Sequence, residues 1–171
     1  MPGVDAPYLG FDPGGSHCFG VALFDGHGVL LGTTSSVDEA LAWAVDKCGT
    51  RTPTAAGIDT LLHWCTGPSG YRPCDRLLKQ RYAAKSGSIM APNSLYGAMA
   101  IGGMALALRL KQHWPDIVLN ETHPKVLLHA LGVPKYDPSD LKSVVRWLIG
   151  TMKSTDWSAS EELSVFLCAG R

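Results

Sequence analysis

Three carboxylates are placed where they can do chemistry: Asp12 in YLGFDPGG, Asp59 in AAGIDT and Glu121 in IVLNET. Each closes a short apolar run with the character of a β-strand. In an open α/β sheet, ligands gather at the carboxyl ends of strands near a switch in strand order. Carboxylates that converge there repel one another unless a cation sits between them, and their hard oxygens suit Mg²⁺ or Mn²⁺. Two such ions about 3.5 to 4 Å apart activate a water and stabilise the leaving oxygen in phosphodiester cleavage. The plainer alternative is that each aspartate only shapes its turn, since Asp-Pro-Gly is ordinary turn chemistry and Asp59 before Thr60 can cap one.

The elements that must position these groups follow from periodicity and punctuation. Tyr8–Asp12, His17–Phe24 and Gly28–Thr33 read as strands separated by the glycine turns PGGS and DGHG, which implies antiparallel hairpin pairing. Ser36 caps a helix, VDEALAWAVDKC, with Val37, Leu41, Ala44 and Val45 on one face and Asp38 and Glu39 in the first turn. Ala55–Asp59 is a buried strand. A loop over 60–70 leads to a helix from Pro73 to Tyr82, and a second loop over 83–92 leads to a long apolar helix opened by Asn93 or Ser94 and ended near Trp114. Ile117–Glu121 is a further strand, and Pro124 opens a helix that Gly132 stops. Pro138–Ile149 and Ala159–Cys168 read as two more helices. Three antiparallel strands followed by βα crossovers predict an α/β fold with a mixed five-stranded sheet flanked by helices.

The ordered segments GFDPGGSHCFGVALFD, GIDTLLHW, RPCDRLLKQRY and LNETHPKVLLHALG resemble the predicted nucleases of the ribonuclease H-like superfamily, in particular domain-of-unknown-function family 429. The resemblance covers Tyr8 to Gly132. It implies that the strands ending in Asp12 and Asp59 are neighbours, that the two aspartates are adjacent metal ligands, and that Glu121 is a third acidic group beside them. It also aligns Arg72, Asp75 and Arg76 with the family's arginine and aspartate positions. One departure stands at the C-terminus, where the family carries an acidic residue and this chain has Ser164. Glu161 and Glu162 are the nearest carboxylates, Glu162 being a further metal-ligand candidate, and both also read as solvated charges at a helix start.

Between Tyr71 and Lys85, Arg72, Arg76, Lys79, Arg81 and Lys85 face a single acid, Asp75. Arginines offer bidentate contacts to phosphate, so Arg72, Arg76 and Arg81 are candidates to grip a nucleic-acid backbone, with Tyr71 and Tyr82 as candidate stacking platforms. The bland reading is a solvated helix face. His63, Cys65 and Cys74 match no common zinc spacing. His17 and His123 adjoin the acidic positions and are candidates to orient a water or phosphate. Cys18, in an apolar run, reads as a core residue. FDPGGS also resembles the opening of actin-like and sugar-kinase folds, but those need two domains around the nucleotide.

A chain of 171 residues with 46% hydrophobic content suits one domain over 1–171. Fifteen basic residues balance fifteen acidic ones, so no molecule-wide field steers nucleic acid or an anionic membrane. Five cysteines without a C-x-x-C pair fit reduced thiols in the cytoplasm, and MPGVDAPYLG lacks the marks of a signal peptide. LYGAMAIGGMALAL, the most apolar run, falls short of a membrane span and reads as a buried helix. The resulting expectation is a Mg²⁺- or Mn²⁺-dependent nuclease acting on nucleic acid. The alternative is a catalytically inactive domain of the same fold that binds nucleic acid or a protein.

Overall fold

The computed structural model describes residues 6–14, 18–63, 65, 68–91 and 97–130. Five strands, β1 (Tyr8–Asp12), β2 (Phe19–Phe24), β3 (Val29–Thr34), β4 (Ala55–Ile58) and β5 (Val118–Glu121), form one sheet in the order β3-β2-β1-β4-β5. The β1–β2 and β2–β3 pairs are antiparallel, whereas β1–β4 and β4–β5 are parallel. The protein is therefore α/β with a mixed five-stranded sheet. Its helices are α1 (Val37–Cys48), α2 (Pro73–Arg81), α3 (Gly97–His113) and α4 (Pro124–Ala130), and Ala83–Ser88, expected as loop, winds into a 3₁₀ helix. The expected helices over 138–149 and 159–168 lie outside the described residues, as do His17, Glu162 and Ser164.

Local chemistry accounts for the boundaries. The β2–β3 turn is closed by Asp25, whose carboxylate accepts the N–H of His27 and of Gly28, while Gly26 takes a φ of 88° that suits glycine. Ser36 caps α1 by accepting the Glu39 N–H, and Glu39 reaches back to the Ser35 N–H. The stripe of α1 that is fully covered is Ala40, Ala44 and Cys48, with Val37, Leu41 and Val45 packed partly against it. Small residues sit closest because α1 lies against both the sheet and α3.

Strand alternation divides the sheet into two faces. Leu9 and Phe11 of β1, Phe19, Val21 and Leu23 of β2, and Ala56 and Ile58 of β4 are in register on one face, where they meet Ala40 and Ala44 of α1 and Leu106 and Leu110 of α3. Gly10, Gly20, Gly57 and Asp12 belong to the other. The apolar α3 is buried along one side only, through Ala100, Leu106 and Leu110, while Ile101 and Leu108 are each 67% exposed, so the expectation of a buried helix holds for one face of the described residues. No helix among them is long and apolar enough to cross a membrane.

Two adjacent glycines let α3 approach the loops that carry the acidic residues. A Cβ on Gly103 would lie 1.9 Å from the Thr60 methyl, and one on Gly102 would touch Pro13. Thr60 and Pro13 directly follow Asp59 and Asp12. The turns bearing both carboxylates thus rest on the same turn of α3.

Candidate functional site

Asp12 is the last residue of β1, and Asp59 stands one step beyond β4. The parallel register pairs Phe11 with Ile58, and the Asp59 N–H donates to the Phe11 carbonyl at 2.8 Å, carrying the ladder one bond further. The side chains of Asp12 and Asp59 emerge side by side from this step. Asp12 is exposed and Asp59 half-buried. Burial, followed by the Asp12 charge, pushes the Asp59 carboxyl up to about 6 despite the opposing effect of Lys125. Asp12 is raised too, because the surrounding protein partly desolvates its carboxylate even though the side chain reaches solvent, and Lys125 again opposes the shift. Two carboxylates and one ammonium, on Lys125 of α4, share one electrostatic neighbourhood.

Glu121 does not join them. It pairs in register with Ile58, so alternation sends its side chain to the α3 face, away from Asp12 and Asp59. There it borders an apolar cavity of about 410 Å³ shared with Leu62, Met104, Ala107 and Leu108. Both of its oxygens accept from the Arg72 guanidinium, at 2.7 Å for Oε1, and Oε2 also accepts the Leu62 N–H. Arg72 is simultaneously bidentate to Asp75, with Nη2 to Oδ1 at 2.6 Å and Nε to Oδ2 at 2.9 Å. Asp75 Oδ2 further accepts the Arg72 N–H, closing the first turn of α2. Burial alone lowers the Arg72 pKa, but the hydrogen bonds and charges of Asp75 and Glu121 outweigh it and hold the guanidinium protonated.

This triad corrects two expectations. Glu121 is a salt-bridge partner, not a third carboxylate beside the aspartates, and Arg72, 8% exposed, cannot grip a substrate backbone. Among the described residues no three His, Cys, Asp or Glu side chains gather to hold a metal ion, which includes His63, Cys65 and Cys74. The rest of the basic run is partly spent on the fold. Arg76 donates to the Tyr71 carbonyl at 2.7 Å, and Lys79 binds the Ser86 and Ile89 carbonyls and lies over the Tyr71 ring. Arg76 and Arg81 stay exposed. Tyr82 is packed against Leu78, Ile89 and Val126, so it offers no free face for a base. Cys18, expected in the core, is exposed, because it precedes the strand and leaves Phe19 as the first inward residue.

Lys125 is a candidate site residue that sequence reasoning missed. Its signal was the spacing E-T-H-P-K, which makes any strand ending at Glu121 deliver a lysine on the first turn of the next helix. A cavity of about 100 Å³ beside the pair is lined by Asp59, Ser88, His123, Pro124, Lys125 and Val126. Burial lowers the His123 pKa, against the opposing charges of Glu121 and Asp75, so its imidazole is neutral near pH 7.

No known family model matches the chain, and no curated protein or solved structure matches it either.

Removing the Arg72 charge leaves two buried carboxylates without a partner. Arg72→Met should cost about 3–5 kcal/mol in urea unfolding, and adding Asp75→Asn with Glu121→Gln should recover part of the loss. The raised Asp59 pKa sets a pH dependence of the opposite sign to most acids. The folded state binds the proton more tightly than the unfolded one, so stability from this group is intact below pH 3.8 and is lost as pH rises to about 6. Asp59→Asn should therefore stabilise the protein above pH 6, by up to about 3 kcal/mol, and leave it nearly unchanged at pH 4.

Proposed function

We propose that the protein is a divalent-metal-dependent nuclease, a hydrolase of nucleic-acid phosphodiesters, built on a ribonuclease H-like domain. The observation that carries this reading is the Asp12–Asp59 pair: two carboxylates at the ends of adjacent parallel strands, raised in pKa by burial and, for Asp59, by its neighbour. Groups in that state gain from a cation. The sheet supports the fold assignment, since three antiparallel strands precede a parallel β4 that lies beside β1, the adjacency that the resemblance implies.

Two carboxylates suit Mg²⁺ or Mn²⁺, because Mg²⁺ in particular keeps several waters and is bound through one or two carboxylates plus substrate phosphate. When bound, such an ion offsets charge on the phosphoryl oxygens and acidifies a water. The chain's own groups do the rest. Asp12 and Asp59 orient the ligands around the reacting phosphorus, and Lys125, facing both, offsets negative charge there. His123, neutral and two residues beyond β5, is placed to orient a water from the cavity side. Arg76 and Arg81, exposed on α2, contact the backbone further out. The free thiols of Cys18, Cys48 and Cys74 fit a cytoplasmic setting.

A second reading, a non-catalytic domain that binds nucleic acid or a protein, is favoured by the withdrawal of Glu121 into the Arg72 salt bridge. A cleavage screen over single- and double-stranded DNA and RNA with Mg²⁺ or Mn²⁺ separates the two. The nuclease reading expects cleavage that chelation stops and that Asp12→Asn and Asp59→Asn each reduce at least about a hundredfold with folding intact. Salt-sensitive binding without cleavage in either metal supports the second reading.

A further inference from the structure

The small cavity beside Asp59 has walls unlike those of the larger one on the α3 face. Ser88 comes from the 3₁₀ helix, and His123 and Lys125 come from the start of α4, so two separate segments converge on it. Among the described residues the Lys125 ammonium makes no direct ion pair, and neither the Ser88 hydroxyl nor the His123 ring makes a hydrogen bond. An ammonium, a hydroxyl and an imidazole with unspent donors therefore face one cavity. Its volume of about 100 Å³ is that of a few water molecules at roughly 30 Å³ each. That space takes a phosphoryl group. The larger cavity also has His63, Lys111 and Glu121 in its wall, but Leu62, Met104, Ala107, Leu108 and Leu119 make it mostly apolar, and its Glu121 is already held by Arg72.

We infer that the cavity formed by Ser88, His123 and Lys125 is a phosphoryl-oxyanion subsite, with Lys125 supplying the charge and Ser88 and His123 directing hydrogen bonds to the oxygens. Lysine binds such groups as a point charge with three donors, and the neighbouring hydroxyl adds direction. The inference deepens the nuclease reading by placing the substrate phosphate on the α4 side of the aspartates. Asp59 in the wall opposes a bare anion, so occupancy without a metal is weakened by this carboxylate and not by Lys125.

Phosphate binding is separable from cleavage. Inorganic phosphate should be titrated into the metal-free protein at low ionic strength and about pH 7.5, with ³¹P line broadening as the readout. Saturable binding of one phosphate per chain is expected. Lys125→Gln should weaken it by about tenfold or more, Ser88→Ala by severalfold, and Asp59→Asn should tighten it. A dinucleoside monophosphate that competes with phosphate marks the subsite as one for internal diesters, while failure to compete marks it for monoesters or free phosphate. Absence of saturable binding, or binding that Lys125→Gln leaves unchanged, overturns the inference. Because Asp59→Asn is expected to tighten phosphate binding while abolishing cleavage, failure of the subsite and failure of the nuclease reading give different results.

Discussion

Two carboxylates are held side by side by the backbone ladder between β1 and β4, and their mutual repulsion is the constraint around which the rest of the site is arranged. The Asp59 N–H bonded to the Phe11 carbonyl extends the parallel pairing by one step, so neither aspartate can swing its Cα away from the other. The interaction is unfavourable on its own, and it adds to the larger effect of burial in raising the Asp59 pKa to about 6. A fold that keeps such a pair needs a compensating charge. Lys125 supplies part of it from α4, and the pair retains capacity for more.

Parity decides which acids can take part. Residues paired across strands point the same way, so Glu121, in register with Ile58, is committed to the helix-covered face, where an unpaired carboxylate would be costly. Arg72 resolves that cost by bridging Glu121 and Asp75. In doing so it ties the start of α2 to the end of β5, the strand that leads into His123 and Lys125. The triad thus acts on the site through the backbone, while Gly102 and Gly103 let α3 support the turns after Asp12 and Asp59 from beneath.

Much of this was legible in the sequence because it rests on local signals. The glycine turns, the Ser36 cap and Pro124 at a helix start each set a boundary within a residue or two. The pairing of Asp12 with Asp59 was reached through the family resemblance, and the parallel β1–β4 register agrees with it. What failed to read was what depends on relative face. Nothing local distinguishes a strand-end glutamate that points with Asp59 from one that points with Ile58, since a one-residue shift of register exchanges them. Arg72 likewise looked like a member of an exposed basic run, because its two acidic partners lie three and forty-nine residues away and only the folded chain brings the second to it. The 3₁₀ turn at Ala83–Ser88 escaped notice because Ala, Lys, Ser and Gly carry no helical stripe, and its Ser86 carbonyl is instead held by Lys79.

The claim on which the account depends is that Asp12 and Asp59 form one coupled acidic site. Carboxyl ¹³C NMR titration of Asp59, in the native protein and in the Asp12→Asn variant, with and without Mg²⁺, tests it most directly. The account predicts an Asp59 midpoint at about 6 that falls toward the ordinary aspartate range both when Asp12 is neutralised and when Mg²⁺ is added. A midpoint near 3.8 that neither change moves would contradict it.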